Sequence, residues 1–188
     1  VVRARSENGA SGLIIHRRVD LATYPILEWR WKVDRLPRRA DVATDTTDDA
    51  AARLYVTFDY DGLGLLDRVK LMLLRRFGYS EAPSRALNYL WATRQEDEAP
   101  LASPYTDQIM MLPVRTGPAQ MGDWVRERRN VFADYRRVFG SDPPPVNGVA
   151  IMTDTDNTGG TAQAFYGDIV FRRAPSVDSV ETGAPGSG

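Results

Sequence analysis

Carboxylate, amide and hydroxyl side chains follow one another through Thr153-Asp154-Thr155-Asp156-Asn157-Thr158 before Gly159-Gly160 turns the chain. Hard cations such as calcium take oxygen ligands of this kind, so Asp154 and Asp156 are the candidate metal ligands, with Asn157 beside them as a polar contact for a ligand. The segment is not an EF-hand. Counting from Asp154, the fifth position of that loop needs Asp or Asn and the twelfth needs Glu, and here they are Thr158 and Phe165. The same residues also suit a plain turn in which Asp and Asn bond their own backbone.

A second acidic group, Asp41, Asp45, Asp48 and Asp49, runs up to Arg53. If folding sets it beside Asp154 and Asp156, repulsion must either raise a carboxylate pKa or draw in a cation. Otherwise Asp48 or Asp49 pairs with Arg53 or caps a local turn. Arg129 and Asp134 are further candidates for a polar ligand. Among the aromatics, Tyr89, Trp91 and Tyr105 lie near the polar stretch from Gln95 to Pro104 and are candidates for stacking on a sugar ring. Trp29 and Trp31 alternate with Leu27 and Val33, which marks them for the core.

Composition narrows the chemistry. The chain has no cysteine and a single histidine, His16, so thiolate nucleophiles, disulfides and zinc sites with two histidines are excluded within one chain. There is no phosphate loop, dinucleotide fingerprint or nucleophile elbow. Lys plus Arg (24) against Asp plus Glu (25) leaves no overall field for nucleic acid. The longest apolar stretch, Leu63 to Phe77, is interrupted by Asp67, Arg68, Lys70, Arg75 and Arg76, which rules it out as a transmembrane segment. The chain starts Val1-Val2 rather than with Met, so an upstream segment is expected to have been removed.

The elements that must position these residues are mostly strands. Leu27, Trp29, Trp31 and Val33 oppose Glu28, Arg30 and Lys32, and Leu54, Val56 and Phe58 oppose Tyr55, Thr57 and Asp59, both with the period of a half-buried strand. Leu13 to Val19, Leu87 to Thr93, Gln108 to Val114, Val146 to Thr153 and Ala164 to Arg172 read as further strands. Two stretches change period. Leu66, Val69, Leu73 and Phe77 predict a short helix, and Trp124, Val131, Phe132, Tyr135 and Val138 predict another over Asp123 to Phe139, stopped by Gly140. Many strands with one or two inserted helices imply a mainly β, jelly-roll-like antiparallel sandwich over residues 1–174, with a flexible Gly- and Ser-rich tail at 175–188.

Six blocks, taken in order, carry a family resemblance: Ala10 to Leu13, Pro25 to Val33, Asp48-Asp49 with Arg53 to Val56, Leu87 to Trp91, Arg129 to Gly140, and Met152 to Thr158. Together they resemble the uncharacterised bacterial family catalogued as domain of unknown function 3047. The resemblance implies an exported protein, periplasmic or secreted, whose domain starts before Val1. It also implies a layout similar to galactose-binding-like modules, in which a closing strand carries an acidic pair; here only Asp168 stands at that place. The leading expectation is therefore a carbohydrate-binding-like module for a glycan, with calcium as the candidate cofactor. The rivals are a polysaccharide- or ester-active enzyme using paired Asp carboxylates, and an envelope protein that docks a partner through the Leu63 to Phe77 segment.

Overall fold

The computed structural model describes residues 1–62, 84–94 and 99–175. The helix expected around Leu66 to Phe77, and almost all of the expected tail, lie outside the described residues. Among the described residues there are ten strands: β1 (Val2–Glu7), β2 (Ala10–Val19), β3 (Ile26–Arg35), β4 (Ala52–Phe58), β5 (Arg85–Ala92), β6 (Leu101–Ser103), β7 (Thr106–Thr116), β8 (Val125–Asn130), β9 (Val146–Asp154) and β10 (Thr161–Arg172). A single helix among the described residues, α1 (Val131–Phe139), follows β8 directly.

The strands form two sheets, a four-stranded one in the order β1-β10-β3-β8 and a six-stranded one in the order β2-β9-β4-β5-β7-β6. The protein is a β-sandwich, and the alternation in β3 and β4 explains why. Leu27, Trp29, Trp31 and Val33 from the smaller sheet meet Leu54, Val56, Phe58, Leu87, Tyr89 and Trp91 from the larger one, all buried. Aromatic rings interlock at the centre: Trp29 and Trp31 pack edge to face at 5.4 Å, Trp29 lies 5.4 Å from Tyr89, and Trp31 lies 6.0 Å from Trp91. The indole N–H of Trp31 donates to Glu127 (3.1 Å), which also accepts from Arg115 of the opposite sheet at 2.7 Å.

The mainly β sandwich stands as expected, with β5 and β7 paired in parallel beside antiparallel neighbours. One expectation is corrected. The long helix expected over Asp123 to Phe139 begins only at Val131; Val125 to Asn130 is strand β8, paired with β3 from Ile26 to Trp31. The reason is tertiary: Val125, Glu127 and Arg129 turn toward the interior with period two and find cross-strand partners there. Asn130 then caps the helix by accepting from the Ala133 N–H (3.0 Å), and Gly140 ends it at φ 71. Leu13 and Ile15 stand exposed on edge strand β2. No helix of the described residues is long and apolar enough to cross a membrane.

Candidate functional site

Arg53 begins the argument, because a strand forces neighbours to opposite faces. Leu54 enters the central core, so Arg53 projects from the outer face of the six-stranded sheet. There Val42, Ala50, Leu90, Ala92 and Met111 form a second, smaller apolar cluster. The guanidinium is 1% exposed, and a charge so deeply placed needs partners. Its Nη2 donates to the Asp48 carboxylate (2.7 Å) and carbonyl (2.9 Å), and its Nε donates to Asp154 (3.2 Å). Asp154 also accepts from the Ala50 N–H at 2.9 Å, tying the segment before β4 to the end of β9.

Asp49 is fully buried and holds the turn that follows β9. It accepts from the Asn157 N–H (3.2 Å), the Thr158 N–H (2.7 Å) and the Thr158 hydroxyl. This ties down the acidic turn so that Asp156 and Asn157 face outward, both exposed. The Asn157 amide donates to the Asp45 carbonyl (2.6 Å) and the Tyr105 hydroxyl (3.3 Å), while Tyr105 donates to the same carbonyl at 2.7 Å. Tyr105, 48% exposed, is thereby fixed at the rim. Asp49, Asp154 and Asp156 each offer a carboxylate oxygen, all within 4.8 Å of one another.

Electrostatics follow from burial. Burial pushes the Asp154 carboxyl up to about 6, although Arg53 and the Ala50 N–H pull the other way. Burial opposes the Arg53 cation, yet Asp154, Tyr55 and Asp48 raise it well above its ordinary value. Burial also lifts Tyr55 to about 12 and raises Tyr105, with Asn157 acting against that rise.

Two residues of this face were not read from the sequence. Tyr55 pairs with Asn88 across β4 and β5, and Asn88 with Met111 across β5 and β7, so all three share the face of Arg53. Asn88 is 1% exposed, and among the described residues neither its Oδ1 nor its Nδ2 has a hydrogen-bond partner. Beside it the Arg53 Nη1 donates to the Met111 sulfur (3.7 Å), and the Tyr55 hydroxyl lies against the Arg53 guanidinium and 4.0 Å from the Met152 sulfur. The signal available in the sequence was a lone amide in the otherwise apolar run Ala86-Leu87-Asn88-Tyr89-Leu90.

The remaining candidates fall elsewhere. Tyr89 and Trp91 belong to the central core, not the rim, because their faces alternate with Asn88 and Leu90. Trp91 donates to the Gly117 carbonyl (2.9 Å). Tyr89 donates to Asp134 (2.9 Å), which also accepts from Arg129 at 2.9 and 2.5 Å. Burial, followed by the Asp134 charge, raises the Tyr89 phenol well above its usual value. Tyr89, Arg129 and Asp134 thus bind α1 to the sandwich, apart from the acidic turn. Thr153 to Thr158 therefore meets Asp48, Asp49 and Arg53 as the sequence allowed, joined by Tyr105, while Trp91, Tyr89, Arg129 and Asp134 do not.

A family model described as "Protein of unknown function (DUF3047)" matches residues 1–170. No curated protein matches the chain.

Proposed function

The chain belongs to the DUF3047 family of proteins of unknown function, and from its acidic rim we propose an exported, periplasmic or secreted, carbohydrate-binding module assisted by calcium. One observation carries the reading: the exposed carboxylate of Asp156 stands within 4.8 Å of the buried carboxylates of Asp49 and Asp154, flanked by exposed Asn157 and Tyr105. The donor set suits calcium, which prefers six to eight oxygens and leaves positions for water or sugar hydroxyls when a protein supplies fewer. Asp49, Asp154 and Asp156 would hold the ion. Calcium would supply a site for paired hydroxyls, Tyr105 an exposed ring face, and Asn157 and Asp156 hydrogen bonds.

A paired-carboxylate hydrolase fits less well. General acid and base groups must face the substrate, whereas Asp48, Asp49 and Asp154 are buried and already accept bonds from protein donors. The protein-docking alternative depended on residues outside the described ones.

The test is a thermal-shift titration of metal-stripped protein with calcium, followed by a glycan panel, since a ligand that binds only the folded form raises Tm. We expect a calcium-dependent rise, absent in Asp156→Ala, whose metal-free Tm stays unchanged because the side chain is exposed. A wild-type protein indifferent to calcium and to every glycan would overturn the proposal.

A further inference from the structure

The outer face of the four-stranded sheet carries a feature that the rim does not use. Register places Lys32 opposite Phe165 and Phe165 opposite Arg3. Trp124, one residue before β8, continues that row beyond Lys32, since its neighbour Val125 pairs with Trp31. The row therefore reads Trp124, Lys32, Phe165, Arg3, aromatic and cation in alternation across the sheet. The rings meet edge to face at 6.3 Å, and Lys32 lies over Phe165 at 4.6 Å. Arg30, in the adjoining row, lies over Trp124 at 4.6 Å.

Charge on this patch runs against the whole chain. Arg30 faces Arg126 directly across β3 and β8, a like-charge pairing that costs stability unless something offsets it. Asp168 partly does so, at 2.7 Å from Arg30, and it holds a left-handed φ of 54 at the irregularity between Gly167 and Val170. Lys32 is paired with Asp34 at 3.1 Å. Arg3 and Arg126 are both exposed, and among the described residues no acid pairs with either. Four cations against two acids leave the patch at +2 in a chain whose formal net charge is −1.

We propose that this row is a binding surface for an acidic polysaccharide, a chain of sugar rings bearing carboxylates. Trp124, 40% exposed, offers a flat apolar face for a pyranose ring, which is uncharged on its faces and does not repel the neighbouring cations. Successive strands lie about 4.8 Å apart, so Lys32 and Arg3, on β3 and β1 with β10 between them, are separated by about 10 Å along the row. An acidic chain lying across the strands meets a cation at every second strand and sets a ring on the exposed Trp124, while Lys32 covers Phe165. Charge complementarity selects an acidic occupant over a neutral one. The inference takes its ligand class from the glycan-binding reading but places the contact on the opposite sheet.

The experiment measures binding of polygalacturonate, with neutral dextran as the comparison, in EDTA at low salt so that calcium bridging plays no part. Polygalacturonate should bind and dextran should not. Trp124→Ala should weaken binding about ten-fold or more, the size of loss typical of a central aromatic anchor. Arg126→Ser should weaken it about three-fold and reduce its salt dependence. Leu13→Ser, exposed on edge strand β2 of the other sheet, should leave it unchanged, and because calcium is chelated throughout, this result stands or falls separately from the calcium response. Equal binding by Trp124→Ala with an unaltered Tm would overturn the proposal. So would binding of dextran as tight as that of polygalacturonate, or preference for anionic lipid vesicles over the polysaccharide.

Discussion

Two Arg–Asp networks sit on opposite faces of the six-stranded sheet, and they are finished to different degrees. On the inner side Asp134 receives the Tyr89 hydroxyl and two N–H groups of Arg129, so both carboxylate oxygens and the phenol are paired. On the outer side Arg53 is neutralised by Asp48 and Asp154, but its neighbour Asn88, buried on the same face, finds no hydrogen-bond partner among the described residues. A fully paired network stabilises the fold and needs nothing more. An unfinished one retains buried polar groups at a cost, which is what a site kept for binding rather than for stability looks like.

Substitutions can break that contrast, and the largest effect belongs to Arg53. Arg53→Ala leaves Asp48 and Asp154 buried beside each other without a cation, and urea unfolding should register a loss of about 3 to 5 kcal/mol. A loss below about 1 kcal/mol would mean that the carboxylates simply take up protons or water. The pH response comes next. Asp154 has a folded pKa near 6, above its unfolded value, so its protonated form favours the fold. Its contribution is present in full below about pH 4 and is lost as pH rises through 6, by up to about 3 kcal/mol. Asp154→Asn should flatten this part of the stability profile. Under the proposed calcium reading, a calcium titration at pH 5 and pH 8 should show the opposite trend, with tighter binding at the higher pH as Asp154 ionises.

Smaller effects separate the two networks more finely. Asp134→Ala strands a buried tyrosine hydroxyl and a half-buried guanidinium, which should cost about 2 kcal/mol while leaving the calcium response intact. Asn88→Leu removes an unsatisfied amide from an apolar neighbourhood and should be neutral or stabilising by about 1 kcal/mol in chemical denaturation. A clear loss of stability in Asn88→Leu would show that the amide has a partner in solution and would erase the difference between the networks.

Much of the fold was legible residue by residue. The alternation in Leu27 to Val33 and Leu54 to Phe58 marked strands and assigned Trp29 and Trp31 to the core, and Gly140 marked the end of α1 correctly. The Val125 to Asn130 strand was hidden because Trp124, Val131 and Tyr135 also fit a helical stripe, and only pairing with β3 decides between the two periods. The site was legible as two acidic segments and Arg53. Tyr105 joined them unforeseen in detail, and Tyr89 and Trp91 left them, because one step along β5 separates the inner face from the outer one.

The sequence by itself determined composition, the apolar faces of the strands, the absence of cysteine chemistry and, through six ordered blocks, the family. These are local properties, set by side-chain period and residue type. Tertiary structure alone decided that Asp49 would meet Asp156, that Asn88 would be buried without a partner among the described residues, and that Trp124, Lys32, Phe165 and Arg3 would form one row. Each of those depends on which strands pair and in what register. Pairing is fixed by the burial of the whole core at once, so no single stretch of sequence announces it.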